Sequence, residues 1–134
     1  MGERFKQWRY PKISDGKPTK YNWVVQHVNN LTLGRLTDIG AFTYINAKHG
    51  VTIGRNAQIG SHCSLYSVST IDGKTGPVVV KENACLGSHS VVMPGVTIGK
   101  NAVVGAFSFV NRDIPDNCVA YGVPAKVAGK VKKQ

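Results

Sequence analysis

Aliphatic side chains return every six positions through most of this sequence: Leu33, Ile39 and Ile45, then Ile53, Ile59, Leu65 and Ile71, then Val80, Leu86, Val92, Ile98, Val104 and Val110. Four residues after most of them stands a small or modest side chain, at Thr37, Thr43, Ala57, Cys63, Ser69, Ala84, Ser90, Val96, Ala102 and Ser108. Strand residues two apart face the same way, so each small residue and the next aliphatic both point inward and the residue between them points out. The position after the aliphatic is often Gly (Gly34, Gly40, Gly54, Gly60, Gly87, Gly99, Gly105) or Asn (Asn46, Asn111). These residue types tolerate positive φ, so a turn is expected there. Short strands meeting at corners, three to a coil and stacked at ~4.8 Å, satisfy this pattern. A helical solenoid fails on the period and the glycines, and a β-sandwich would space its strands by ~8–12 residues.

Two intervals are too long. Extra chain lies between Ile45 and Ile53 and between Ile71 and Val80, in the segments NAKHG and DGKTGP, and insertions into a solenoid map to loops that carry sites. Counting every aliphatic as one face puts Ile45, Leu65, Leu86 and Val104 together and Leu33, Ile53, Ile71, Val92 and Val110 on the next face. His49 and His89 then share a corner, and the Asp72–Pro77 loop leaves from a different one.

A chain of 134 residues is one domain of ordinary size, and with 18% charged residues it is not a disordered segment. Its 17 Lys and Arg against 7 Asp and Glu give a net charge of +10, which implies an anionic partner. The cations gather at the ends: Arg4, Lys6, Arg9, Lys12, Lys17 and Lys20, then Lys126, Lys130, Lys132 and Lys133. No signal-peptide run and no membrane span is present, so a cytoplasmic location is expected. Cys63, Cys85 and Cys118 form no CxxC pair, and reduced thiols are the default reading. Residues 1–32 interleave aromatic and basic side chains, among them Phe5, Trp8, Arg9, Tyr10, Lys20, Tyr21 and Trp23, and suit a cap on the open end of a solenoid. Stacking of one of these aromatics on a nucleotide base beside a cation is the functional alternative.

The repeat resembles the hexapeptide-repeat family over roughly residues 33 to 127. That resemblance implies an all-β fold, a left-handed parallel β-helix of about four coils, with residues 1–32 as N-terminal cap, 33–115 as the helix and 116–134 as a C-terminal coenzyme A-binding tail. It also implies a coenzyme A-dependent acyltransferase assembled as a homotrimer with sites between subunits. Several members acting on nucleotide-linked sugars carry His-Asp-x-x-Ile-Gly with the histidine as general base. His49-Gly50-Val51-Thr52-Ile53-Gly54 matches the histidine and replaces the acid with Gly50. The thiogalactoside and serine acetyltransferases place their catalytic histidine in the second break. Here that stretch offers Ser69, Thr70, Asp72 and Lys74, groups able to hold a sugar hydroxyl or amine but unsuited to act as base.

The segment Asp113 to Val127 resembles the ending of coenzyme A-dependent members. By that resemblance Ser88 and Ala106 line the pantetheine arm, Asn111 and Arg112 lie near the coenzyme, and Lys126 meets its phosphates, where a point charge on a long stem suits mobile phosphates. The γ-class carbonic anhydrases share this fold and bind zinc through a Gly-His-x-x-x-x-His-Gly pair. Here Pro94 stands at the second ligand position after His89, and no metal site is expected. His62 and His89 are expected to be structural.

The expected activity is transfer of an acetyl group from acetyl-CoA to the amine of a nucleotide-linked amino sugar in surface polysaccharide biosynthesis. His49 would accept the proton, and a backbone N–H at a corner would stabilise the oxyanion. The alternative is O-acetylation of a sugar hydroxyl. A non-enzymatic trimeric scaffold or nucleic-acid-binding module comes behind both. The expected partners are thus coenzyme A and a nucleotide-linked sugar, with no nucleic acid and no membrane span.

Overall fold

The computed structural model describes residues 5 and 7–132; Arg4, Lys6 and Lys133, named above for their charge, lie outside them. The chain winds as a left-handed parallel β-solenoid of about five turns with three flat faces. The first face stacks β1 (Val24–Gln26), β4 (Tyr44–Asn46), β7 (Ser64–Tyr66), β10 (Val91–Val92) and β13 (Phe109–Val110). On the second lie β2 (Leu31–Leu33), β5 (Val51–Ile53), β8 (Val78–Val80) and β11 (Thr97–Ile98), extended by a parallel bridge from Ile98 to Ile114. The third holds β3 (Asp38–Ile39), β6 (Gln58–Ile59), β9 (Cys85–Leu86), β12 (Val103–Val104) and β14 (Cys118–Gly122). An antiparallel β15 (Ala125–Lys130) closes the third face.

The solenoid starts earlier than expected, because β1 already pairs in parallel with β4, Val25 against Ile45. This adds a coil to the expected four and draws part of the expected cap into the helix. At the other end, β14 continues the third face by pairing with β12, so the expected tail begins as a further coil strand.

The period places the core correctly. Ile45, Ile53, Leu65, Val80, Val92, Ile98 and Val110 are fully buried, and Ala57, Cys63, Ala84, Ser90 and Ala102 fill the inner corners. Ile71 is the exception. It is 99% exposed and belongs to no face, because the chain from Ser67 to Gly76 folds out as a hairpin with Val68 and Thr75 paired in antiparallel. Ser69 accordingly lies outside the core, half-buried. Removing Ile71 from the count shifts every later face by one. Ile45 and Leu65 share the first face with Val92 and Val110, whereas Leu86 and Val104 belong to the third with Ile39 and Ile59.

The glycines after the aliphatics serve a different purpose from the one expected. At these corners the left-handed non-glycine residues stand two positions later, at Leu36, Phe42, Asn56, His62, Asn83, His89, Asn101, Phe107 and Asn117. At Gly87 and Gly40 the next coil presses so close that a Cβ would lie 2.4 Å from the backbone N of Ala106 and of Ser61. At one corner the inner hydroxyls and a thiol satisfy the carbonyls of such glycines: Thr43 donates to Gly60 O (2.9 Å), Cys63 to Gly87 O (3.2 Å) and Ser108 to Gly105 O (2.7 Å). Burial pushes the Cys63 thiol pKa up, as expected for an inert core thiol.

Candidate active site

The three corners differ in chemistry. Between the second and third faces runs an asparagine edge, with Asn56, Asn83, Asn101 and Asn117 at its outer positions. The edge between the third and first faces carries an aromatic column, in which Phe42, His62, His89 and Phe107 follow one another at centroid separations of 5.1, 4.6 and 4.7 Å. The remaining edge, between the first and second faces, carries both long insertions.

His49 and the Asp72–Pro77 loop therefore share one edge, one coil apart, contrary to the face count. The turn Ala47–Gly50 joins β4 to β5, and the hairpin joins β7 to β8. His89 stands on the aromatic edge, away from His49. The His49 turn is held tightly: Lys48 N–H donates to Asn46 Oδ1 (3.1 Å), Asn30 Nδ2 to Lys48 O (3.0 Å), Gly50 N–H to Ala47 O (2.9 Å), and His49 N–H to Ser67 Oγ (2.9 Å). The imidazole itself is exposed and has no hydrogen-bond partner among the described residues.

In the hairpin, Asp72, Ser69 and Lys74 are joined to one another. Lys74 N–H donates to Asp72 Oδ1 (3.2 Å), the Lys74 ammonium lies 3.9 Å from Asp72 Oδ2, and Ser69 N–H donates to Lys74 O (2.8 Å). The Lys74 N–H and the Ser69 hydroxyl hold the Asp72 carboxyl below its ordinary pKa. Thr70 is exposed beside them.

Further along the same edge, Asn111 and Arg112 follow β13 and face Pro124, Ala125 and Lys126 across a recess of about 330 Å³; these last three turn back from the end of β14 at the aromatic edge, where Gly122 N–H donates to Ser108 Oγ (3.1 Å). Three of the five residues expected to hold coenzyme are thus together. Ser88 and Ala106 stack one coil apart on the aromatic edge, across the first face from Asn111 and Arg112. Lys48, Lys74 and Arg112 make the first edge cationic, as an anionic coenzyme requires. No group of three His, Cys, Asp or Glu among the described residues could hold a metal ion, and no helix among them is long and apolar enough to cross a membrane.

Two features escaped the sequence. On the outer side of the first face the Tyr44 hydroxyl donates to Gln26 Oε1 (2.5 Å), Asn46 Nδ2 donates to the Tyr44 hydroxyl (3.4 Å), and the Tyr66 ring packs 5.9 Å from that of Tyr44. Burial pushes the Tyr44 phenol pKa up. Ser67, which clamps the His49 turn, was hidden by the count that made Ile71 a core position. The Asp72-Gly73 pair, a hairpin-turn signal, could have exposed it.

A parallel triangular solenoid with six-residue units is the architecture of hexapeptide-repeat transferases. The chain belongs to that family, and residues 77–112 match the family model described as bacterial transferase hexapeptide (six repeats). It is similar to a galactoside O-acetyltransferase of Lactococcus lactis, at 35% identity over 113 residues, covering 73% of this chain and 55% of that protein. The chain thus spans about half the length of that relative. Among solved structures it resembles a hexapeptide-repeat acetyltransferase of Vibrio cholerae complexed with acetyl coenzyme A, with a TM-score of 0.78 and 27% identity over 83% of this chain and 66% of that one. It also resembles an N-acyltransferase of Bacillus cereus in complex with dTDP-4-amino-4,6-dideoxyglucose and coenzyme A, with a TM-score of 0.61 and 25% identity over 84% of this chain and 71% of the other.

Proposed function

We propose that this chain transfers an acetyl group from acetyl-CoA to a hydroxyl of a sugar or sugar-derived acceptor. The observation that carries the reading is the single edge where His49, the hairpin and Asn111–Arg112 line up, with Lys126 facing the last two across the recess, in a chain similar along most of its length to a galactoside O-acetyltransferase. An alcohol needs a base. The His49 ring, exposed and bonded to nothing among the described residues, is free to take its proton. The acceptor oxygen attacks the thioester carbonyl as His49 takes the hydroxyl proton. The tetrahedral intermediate then collapses, and the departing coenzyme thiolate recovers that proton as free thiol.

The coenzyme phosphates meet Arg112 and Lys126. The acceptor rests between the hairpin residues Ser69, Thr70, Asp72 and Lys74 and the Tyr44–Tyr66 pair, whose rings and amide neighbours suit a sugar's mixed apolar and hydroxyl surface. Ser88 and Ala106 lie on another edge, so they reach the pantetheine arm from a neighbouring chain in a homotrimer. The likeness to the Bacillus cereus N-acyltransferase favours a second reading, in which the acceptor atom is the amine of a nucleotide-linked amino sugar.

The test is thiol release from acetyl-CoA with matched panels of plain sugars, nucleotide-linked sugars and their amino counterparts. Turnover on hydroxyl acceptors supports the first reading, turnover on amines alone the second. Turnover on none overturns both.

A further inference from the structure

We infer that Ser67 is a positioning residue for the reaction, its buried hydroxyl fixing the main chain of His49 and tying it to the neck of the hairpin. The inference rests on the reading of His49 as the base. Ser67 is fully buried at the inner corner of the first edge. Its hydroxyl accepts the His49 N–H (2.9 Å) and donates to Asn46 O (2.7 Å). Its own N–H also donates to Asn46 O (3.0 Å), and its carbonyl accepts from Gly76 N–H (3.0 Å), which closes the hairpin neck. One side chain therefore joins the end of β4, the base and the loop beside it.

A serine hydroxyl has one donor and two acceptor sites, and both kinds are used here on the strand and turn that carry the base. The arrangement matters because no side chain orients the His49 ring. Gly50 stands where the resembling motif has an acid, and the imidazole has no hydrogen-bond partner among the described residues. Its direction is set by its own main chain, flanked on one side by Gly50 at φ 98°. Without the Ser67 hydroxyl, the His49 N–H loses its acceptor and the Lys48–His49 peptide is left with the Asn30 bond to Lys48 O alone. A displacement of about 1 Å at a reacting group is enough to cost about 10²-fold in rate.

The experiment uses the full chain, the acceptor that turns over in the sugar panel, and two readouts. Ser67→Ala is expected to lower kcat by about 10- to 100-fold with KM for acetyl-CoA unchanged, and to speed hydrogen exchange at the His49 amide. Ser67→Cys, which keeps a weak donor and acceptor, recovers part of both. It also serves as the folded variant if the alanine protein does not fold. Placed on a His49→Asn background, Ser67→Ala should cost nothing more, because the base it positions is gone. An equal loss in both backgrounds, or unchanged exchange at His49, would overturn the inference. If His49→Asn alone costs only a few-fold, the base reading fails and Ser67 loses its catalytic role with it, even where the exchange data show the clamp intact.

Discussion

Asn56 and Asn83 stand one coil apart at the same corner, and the amide of the first donates to the carbonyl oxygen of the second at 2.8 Å. Asn101 and Asn117 repeat the arrangement at 2.9 Å. All four adopt left-handed backbone, φ near 61°, which asparagine tolerates better than other non-glycine residues. Asn83→Ala should thus lose twice, about 1 kcal/mol for an alanine at positive φ and about 1 kcal/mol for the missing acceptor. Asn83→Gly should recover the first part alone. Thermal unfolding of the two variants checks this, and equal losses would show that the backbone conformation carries no cost.

The corner glycines make a sharper demand. A Cβ at Gly87 would lie 2.4 Å from Ala106 N and 2.7 Å from Ala106 Cα, backbone that cannot move without parting two coils. Gly87→Ala is therefore expected to cost about 3 kcal/mol or more, the severe end of overpacking. Gly129→Ala, with nothing within 4 Å, should stay within about 0.5 kcal/mol of wild type. Denaturant titration of the pair decides it.

These two corners show how much of the fold was legible. The six-residue period, the inward aliphatics and the small corner residues are local signals repeated along the chain, so the solenoid and most of its core follow from counting. The reason for the glycines did not, because close approach between coils is a long-range contact, whereas residue type suggested only φ. The phase was lost at Ile71 because a hairpin can place an aliphatic at the repeat spacing and leave it in solvent. That one error moved His49 and Asp72 to different corners and hid Ser67. The composition of β1 also carries no six-residue mark, since Trp23 and Val25 take the inward places with no glycine after them.

The hairpin itself should respond to acid. The Asp72 carboxyl is held below its ordinary value of 3.8, chiefly by the Lys74 N–H and the Ser69 hydroxyl. A carboxylate whose pKa is lowered by folding contributes above its unfolded pKa, and the contribution is lost as pH falls through the lowered value. Exchange protection of the Ser69 and Lys74 amides is thus expected to be constant at neutral pH and to fall below about pH 4, the ordinary carboxylate range. Asp72→Asn should reproduce the loosened hairpin at neutral pH. Protection unchanged in that variant would mean the backbone pairing of Val68 with Thr75 suffices.

Lys126 lines the recess with Asn111 and Arg112, and its proposed role is to meet the coenzyme phosphates. Ligand at about 100 times its dissociation constant adds about 2.7 kcal/mol of stability, so acetyl-CoA should raise the melting temperature. Lys126→Ala should reduce that shift more for coenzyme A than for its dephospho form. Equal reductions would place the lysine away from the 3′-phosphate.

His49→Asn should lower turnover by roughly 10²- to 10⁴-fold, the usual worth of a positioned base. Its place in the fold adds a test of assembly. His49 and the hairpin occupy the same edge, so in any oligomer both enter the same site from the same chain. Mixing His49→Asn protein with a hairpin variant such as Asp72→Asn should rebuild no wild-type site, since every edge carries one lesion or the other. Ser88 lies across the first face on the aromatic edge. If a site forms where the His49 edge of one chain meets the Ser88 edge of the next, mixing His49→Asn with the obstructing Ser88→Trp should restore activity. With equal amounts and free exchange, about one interface in four in a cyclic assembly pairs two intact edges. Recovery near a quarter of wild type is expected. No recovery, with exchange demonstrated, would place Ser88 outside the site or confine the site to one chain.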